Sequence, residues 1–280
     1  MLHFGYLVAR LIVRVVPLGV ACWIGERVGE IWYARSSRVR DCLDHNLSLV
    51  PGVGGDPSLR PRIARRIVRN FAKVVTEFIY LPRMSPRDLG RFVDLESLGR
   101  ARNLLAGKPA LLVTAHLGNW EIGAAAMAMM GAELQIVVYD HPDTRIAMLF
   151  RKRREAKGLK IMSVKSAARN LAAVLETSSV GIAGDRDFTG RGTPARFFGI
   201  ETKVPSAYAG LAVKKGVRVI PAFCVRHRDG KYHIEWEDPI VAPQDGAAQA
   251  TAIVARCMAI FEKYIEKYPE QWYLFERLGK

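Results

Sequence analysis

A chain of 280 residues, 50% of them hydrophobic, is long enough to bury one large core without help from crosslinks. Its four cysteines, Cys22, Cys42, Cys224 and Cys257, stand far apart with no C-x-x-C spacing, which argues against a zinc site or a disulfide framework and suits a reducing compartment. A formal net charge of +15 asks for an anionic partner; no basic stripe interleaved with aromatics accompanies it, so nucleic acid gives way to an anionic membrane surface.

Residues 4–34 are apolar but broken by Arg10, Arg14, Pro17, Gly19, Glu26, Arg27 and Glu30. The longest uncharged run, Val15 to Gly25, is 11 residues, where a spanning helix needs about 20. Residues 1–35 are therefore expected to lie in the membrane interface, ahead of a chemical domain over 36–280, with an ordinary core helix as the alternative. The first nine residues hold no Lys or Arg and no small-x-small site follows, against a cleaved signal peptide. A short helix over 38–49 ends at Pro51, and Gly52, Gly54, Gly55 and Pro57 form a loop. A long amphipathic helix over 58–82 follows. Ile63, Ile67, Phe71, Val74, Val75 and Phe78 make its apolar stripe and five arginines its basic one.

A strand over 92–95 and a helix over 96–106 lead to a buried strand at 109–115, whose apolar run is unbroken. Then come a helix closed by Gly131, a strand at 134–139, a helix at 144–157 and a strand near Ile161. A helix over 166–177 and a strand at 180–183 follow, then a helix at 205–215. Strands at 217–224 and 232–236 and a helix over 246–268 complete the chain. The alternation predicts an α/β fold with a largely parallel central sheet flanked by helices.

Chemistry concentrates where the strand at 109–115 runs into His116-Leu-Gly-Asn-Trp-Glu121. Asn119 is placed to cap the next helix, so His116 sits in a strand-to-helix loop and Glu121 in the first helical turn. On one continuous helix five residues would separate the two side chains by about 140°. Across a loop, Glu121 can fold back onto the imidazole, fix its tautomer and leave the other nitrogen to take a proton. The helix N-terminus with Asn119 suits a developing oxyanion. A histidine that merely hydrogen-bonds its loop is the plainer alternative.

Two later stretches are candidates for binding. Residues 145–165 hold eight Lys or Arg against one acid, Glu155, a cluster suited to phosphate or simply a solvated helix face. The loop Gly184-Asp-Arg-Asp-Phe-Thr-Gly-Arg191 leaves a strand end where α/β folds bind ligands. Its Asp185-x-Asp187 is also a weak match to a metal-holding D-x-D. No G-x-S-x-G, H-E-x-x-H or Walker loop is present, and no other metal-ligand spacing.

His116-Leu-Gly-Asn-Trp-Glu121 resembles the H-x-x-x-x-D/E signature of the lysophospholipid-type acyltransferase superfamily. Within it, the chain resembles the bacterial lipid A late (secondary) acyltransferases of the lauroyl/myristoyl transferase type. Further stretches carry the likeness: Asn46-Leu-Ser-Leu-Val-Pro51, Arg154-Glu155 with Gly158, Phe197-Phe-Gly199, Val217-Arg-Val-Ile-Pro221 and Tyr268-Pro-Glu-Gln-Trp272. Arg186 departs from the pattern, standing where the family more often has Gln.

The resemblance implies a glycerolipid acyltransferase-like fold, no cofactor and direct acyl transfer without an acyl-enzyme. His116 would be the general base and Glu121 its partner. Arg154 would bind the acceptor's phosphate, with Asp185, Arg186 and Arg191 positioning a phosphorylated glycolipid. The implied donor is an acyl carrier protein thioester and the acceptor a hydroxyl of a lipid A precursor, at the cytoplasmic face of the inner membrane. Another glycolipid acceptor, such as a phosphatidylinositol mannoside, and a non-catalytic membrane-binding protein of the same fold are the alternatives.

Overall fold

The structure is a computed structural model that describes residues 2–105, 107–187, 189–240 and 248–279. The chain opens with helices α1 (Leu2–Val15), α2 (Leu18–Arg35), α3 (Ser37–Ser48) and α4 (Leu59–Tyr80). Pro17 lacks an amide hydrogen and disfavours helical backbone at Val16, which separates α1 from α2. Helix α2 lies tightly on α4: a Cβ at Gly25 would stand 2.7 Å from Thr76 Oγ1, and one at Gly29 2.7 Å from the Val68 carbonyl. Glu26 completes that face with ion pairs to Arg69 and Lys73.

The outer faces of α1 and α2 are left bare. Leu7, Val8, Leu11 and Val15 of α1 and Val20, Trp23, Val28, Ile31 and Trp32 of α2 are exposed. Among the described residues, no helix is long and apolar enough to cross a membrane.

Short helix α5 (Leu89–Phe92) and α6 (Leu95–Leu105) precede the sheet. The strand expected over 92–95 does not form, and among the described residues the ladder contact there is a single bridge from Val93 to Tyr232. Asp94 instead accepts the Ser97 N–H and caps α6, as a short acidic side chain does at a helix start.

From there strands and helices alternate: β1 (Ala110–Thr114), α7 (Trp120–Met129), β2 (Leu134–Val138), α8 (Thr144–Glu155), β3 (Lys160–Ser163), α9 (Val164–Val174) and β4 (Ser179–Ala183). Next come β5 (Thr193–Phe197), β6 (Ile200–Val204), α10 (Ala207–Lys215), β7 (Arg218–Arg226), β8 (Tyr232–Trp236) and α11 (Ala248–Lys267). The six-stranded sheet runs β3-β2-β4-β1-β7-β8, parallel throughout except for β8. The helix expected from 246 begins outside the described residues.

Strand β1 sits inside the sheet and is buried on both faces. Leu111 and Val113 join one core cluster with Val180, Val219, Phe223 and Phe261, and Ala110 and Leu112 join another with Ile122, Ile136 and Ile220. This is the reason for its unbroken apolar run. Strands β5 and β6 form a separate hairpin that the sequence pattern did not announce. Its turn, Phe198-Gly199, has φ of 48° and 73°, the positive φ at both positions that a type I′ hairpin turn needs. Phe198, a residue rarely found there, is held by its N–H donating to the Glu262 carboxylate.

Candidate active site

The parallel register of β1 and β4 places Val113 beside Ile182 and Thr114 beside Ala183, so the two chains leave the sheet together. Two residues beyond each strand end stand His116 and Asp185. Asp185 Oδ1 lies 2.7 Å from His116 Nδ1, and Asp185 Oδ2 accepts the His116 backbone N–H at 2.9 Å. One carboxylate thus fixes both the ring and the backbone of the same residue. The Asp185 side chain has 0% of its surface exposed while the imidazole keeps 24%, so the carboxylate stands behind the ring and the ring faces outward. Burial pushes the Asp185 carboxyl up, but the imidazole's charge and the hydrogen bonds outweigh it and hold the group below the usual carboxylate range. An ionised Asp185 requires the hydrogen on Nδ1, which makes Nε2 the basic nitrogen.

The loop around His116 is pulled close to β7. Gly118 has φ of 69°, and a Cβ there would meet the Cys224 carbonyl at 2.0 Å. Only glycine permits both the conformation and the approach. Gly118→Ala is expected to destabilise the protein by at least about 1–3 kcal/mol, measured by denaturant unfolding, and to lower turnover with it. An unchanged unfolding midpoint would contradict the close approach. Burial pushes the nearby Cys224 thiol up to about 12, so it is no nucleophile.

Asn119 caps α7 as expected, its Oδ1 accepting the Ile122 N–H at 3.1 Å. Its side-chain amide is engaged by other partners. Its side chain is buried, and Nδ2 donates to Glu77 Oε2 at 3.0 Å and to the Tyr232 hydroxyl at 3.2 Å.

Glu121 is the main correction. It sits in the first turn of α7, but its oxygens accept from Arg154: Nη2 at 2.6 Å and Nε at 3.0 Å. The described carboxylate on the imidazole is Asp185. Helix α8 brings Arg154 across the start of α7, and a planar guanidinium grips both carboxylate oxygens in a way an imidazole cannot. Burial raises the Glu121 carboxyl by more than Arg154 lowers it, leaving it above the ordinary value.

The same pairing corrects Arg154, which does not face outward toward a headgroup. It is buried, with its guanidinium 5.2 Å from the Trp120 ring centroid and 5.4 Å from that of Phe78.

The loop after β4 divides its residues among several tasks. Asp185 holds His116, rather than reaching for an acceptor, and Arg186 forms an ion pair with Glu276. Arg191 is exposed. Asp187 accepts from the Thr189 N–H at 2.7 Å and the Gly192 N–H at 2.6 Å, folding the loop upon itself. The two carboxylates of Asp185-x-Asp187 therefore serve different loops. Among the described residues, no group of three or more His, Cys, Asp or Glu is arranged to hold a metal ion.

A buried polar group behind Asn119 was missed by the sequence reading. Glu77 of α4 pairs with Arg226 at the end of β7 and accepts the Tyr232 hydroxyl at 2.7 Å. An acid next to Phe78 on the apolar side of the 58–82 helix was the available signal, because a carboxylate placed there must find a buried partner.

A family model described as bacterial lipid A biosynthesis acyltransferase matches residues 1–280. A phosphatidylinositol mannoside acyltransferase of Mycolicibacterium smegmatis is 25% identical, the match covering 97% of this chain and 89% of that protein. A phosphatidylinositol mannoside acyltransferase of Mycobacterium tuberculosis is 24% identical, over 85% of this chain and 81% of its own length. The family and these relatives have acyl transfer in common. An imidazole backed by a buried carboxylate at the carboxyl ends of parallel strands is suited to that reaction, and the chain belongs to the bacterial lipid A biosynthesis acyltransferase family.

Proposed function

We propose that the protein moves a fatty acyl group from a thioester to a hydroxyl of an anionic glycolipid at a membrane surface, with His116 as general base. His116 Nε2 takes the hydroxyl proton as the oxygen attacks the thioester carbonyl. Asp185, accepting from Nδ1–H, holds the tautomer and stabilises the imidazolium. The carbonyl oxygen becomes an oxyanion at the N-terminal end of α7, where the Trp120 and Glu121 N–H groups take no acceptor among the described residues. Collapse of the tetrahedral intermediate expels the thiolate, which recovers the proton from the imidazolium. No acyl-enzyme forms. The observation that carries this reading is the pair of hydrogen bonds from His116 to one buried carboxylate.

An acyl carrier protein thioester is the proposed donor, its acidic surface matched by a net charge of +15 on the chain. The family description favours a lipid A precursor as acceptor, whereas the relatives' names favour a phosphatidylinositol mannoside. Both are phosphorylated glycolipids with free hydroxyls. The bare apolar faces of α1 and α2, flanked by exposed Arg10 and Arg14, are the proposed seat on the inner membrane's cytoplasmic face.

The test incubates purified protein with labelled acyl carrier protein and vesicles carrying either acceptor, and identifies the product by mass. His116→Ala should lower turnover by about 10²–10⁴-fold. Normal turnover by that variant would remove the mechanism, and acylation of neither glycolipid would remove the proposed acceptor class.

A further inference from the structure

We propose that the carboxy-terminal segment 270–278 sets the register of His116 against Asp185, with Gln271 and Glu276 as positioning residues; this rests on the reading of that pair as the reacting centre. The Pro-Glu-Gln-Trp stretch packs along the His116 loop. The segment it opens lies beside both loops of the site.

On one side it is joined to the His116 loop by main-chain bonds. Leu117 and Trp272 form an antiparallel bridge, the Gly118 N–H donates to the Gln271 carbonyl at 2.9 Å, and the Tyr273 N–H donates to the His116 carbonyl at 2.8 Å. A loop that leaves a sheet ordinarily loses its ladder partners. Here the tail supplies them again, one residue pair at a time, around the histidine itself.

On the other side Glu276 forms an ion pair with Arg186, the residue directly after Asp185. One segment therefore spans the two loops that carry the pair.

The segment is itself anchored on three elements. The Gln271 side chain, buried at 4% exposure, binds the main chain of Arg226 twice: Oε1 accepts its N–H at 2.8 Å and Nε2 donates to its carbonyl at 2.8 Å. Asn70 of α4 donates to the Glu270 carbonyl at 2.9 Å. Asn46 of α3 donates to the Leu274 and Glu276 carbonyls at 3.0 and 2.8 Å and accepts the Leu278 N–H at 3.0 Å. Gln271 and Asn46 use the amide's paired donor and acceptor to clamp backbone, while the Gln271 carbonyl and the Tyr273 N–H serve the catalytic loop. Because misplacement of reacting groups by about 1 Å can reduce rates on the order of 10²-fold, a frame of this kind acts on turnover more than on binding.

The test uses Gln271→Met, which keeps volume and removes both clamp bonds, and Glu276→Gln, whose side chain is half exposed and outside the core. Each should lower kcat on the order of tenfold with KM for both substrates within about twofold, a split expected when only positioning is lost. In an Asp185→Asn background neither should cost a further loss, because the register it sets no longer matters. Amide exchange across residues 116–119 should quicken in Gln271→Met. Unchanged kcat in both variants, or a full tenfold loss retained in Asp185→Asn, would overturn the proposal. If Gln271→Met fails to fold, Glu276→Gln carries the kinetic arms alone. Should His116→Ala prove fully active, the acyl-transfer mechanism fails separately, and unchanged exchange at Gly118 would still refute the frame.

Discussion

Asparagine at position 185 should lower kcat by about 10²–10⁴-fold while leaving KM for donor and acceptor little changed. The carboxylate accepts from Nδ1–H and so reserves Nε2 for the incoming proton. An amide at the same place can donate its own N–H to Nδ1, which moves the ring hydrogen to Nε2 and removes the base. Steady-state kinetics with the wild type and Asp185→Asn read this directly, and a variant within about threefold of wild type would exclude Asp185 from the mechanism.

The same substitution has a pH signature. The folded Asp185 carboxyl lies below its ordinary value, because the imidazole and hydrogen bonds outweigh the burial that would raise it. A carboxylate favoured in the folded state contributes stability that is complete above the unfolded value of about 3.9 and is lost as pH falls toward the depressed folded value. Thermal melts of the two proteins should differ most near neutrality and converge below about pH 4. A gap that instead widens in acid would contradict the shift.

Arg154→Met should destabilise the fold by about 3–5 kcal/mol, because it leaves Glu121 buried without its cation. Glu121 and Arg154 keep 9% and 11% of their side-chain surfaces, so water cannot take the missing partner's place. Glu121→Gln should also act chiefly on stability. A double change, Arg154→Met with Glu121→Leu, should recover much of the loss, since removing both charges removes the uncompensated burial. Chemical denaturation of the wild type, Arg154→Met, Glu121→Leu and the double variant gives the cycle. A headgroup-binding Arg154 predicts something else: a raised KM for the phosphorylated acceptor with an unchanged unfolding midpoint. The buried geometry expects the reverse.

Much of the framework was legible in the chain. The apolar run 110–113 announced a strand covered on both faces, and Asn119 and Gly131 announced the ends of α7. These features are local: they depend on which residues alternate, cap or turn within a few positions. The hairpin at 193–204 escaped because its strands are short and partly polar, and its turn uses a Phe at positive φ where a glycine or asparagine would have been the signal.

The pairing of charges could not be read the same way. Sequence proximity joined His116 to Glu121, five residues on; the structure joins it to Asp185, 69 residues on. Parallel register between β1 and β4 delivers Asp185, and the crossing of α8 over α7 delivers Arg154 to Glu121. The chain by itself determined that an imidazole stands at the end of a buried strand, and that acids and arginines lie within reach of it. Which acid meets which base was decided only in three dimensions. A carboxylate binds whatever donor the packing presents to it, and neighbouring strand ends bring together residues that the chain keeps far apart.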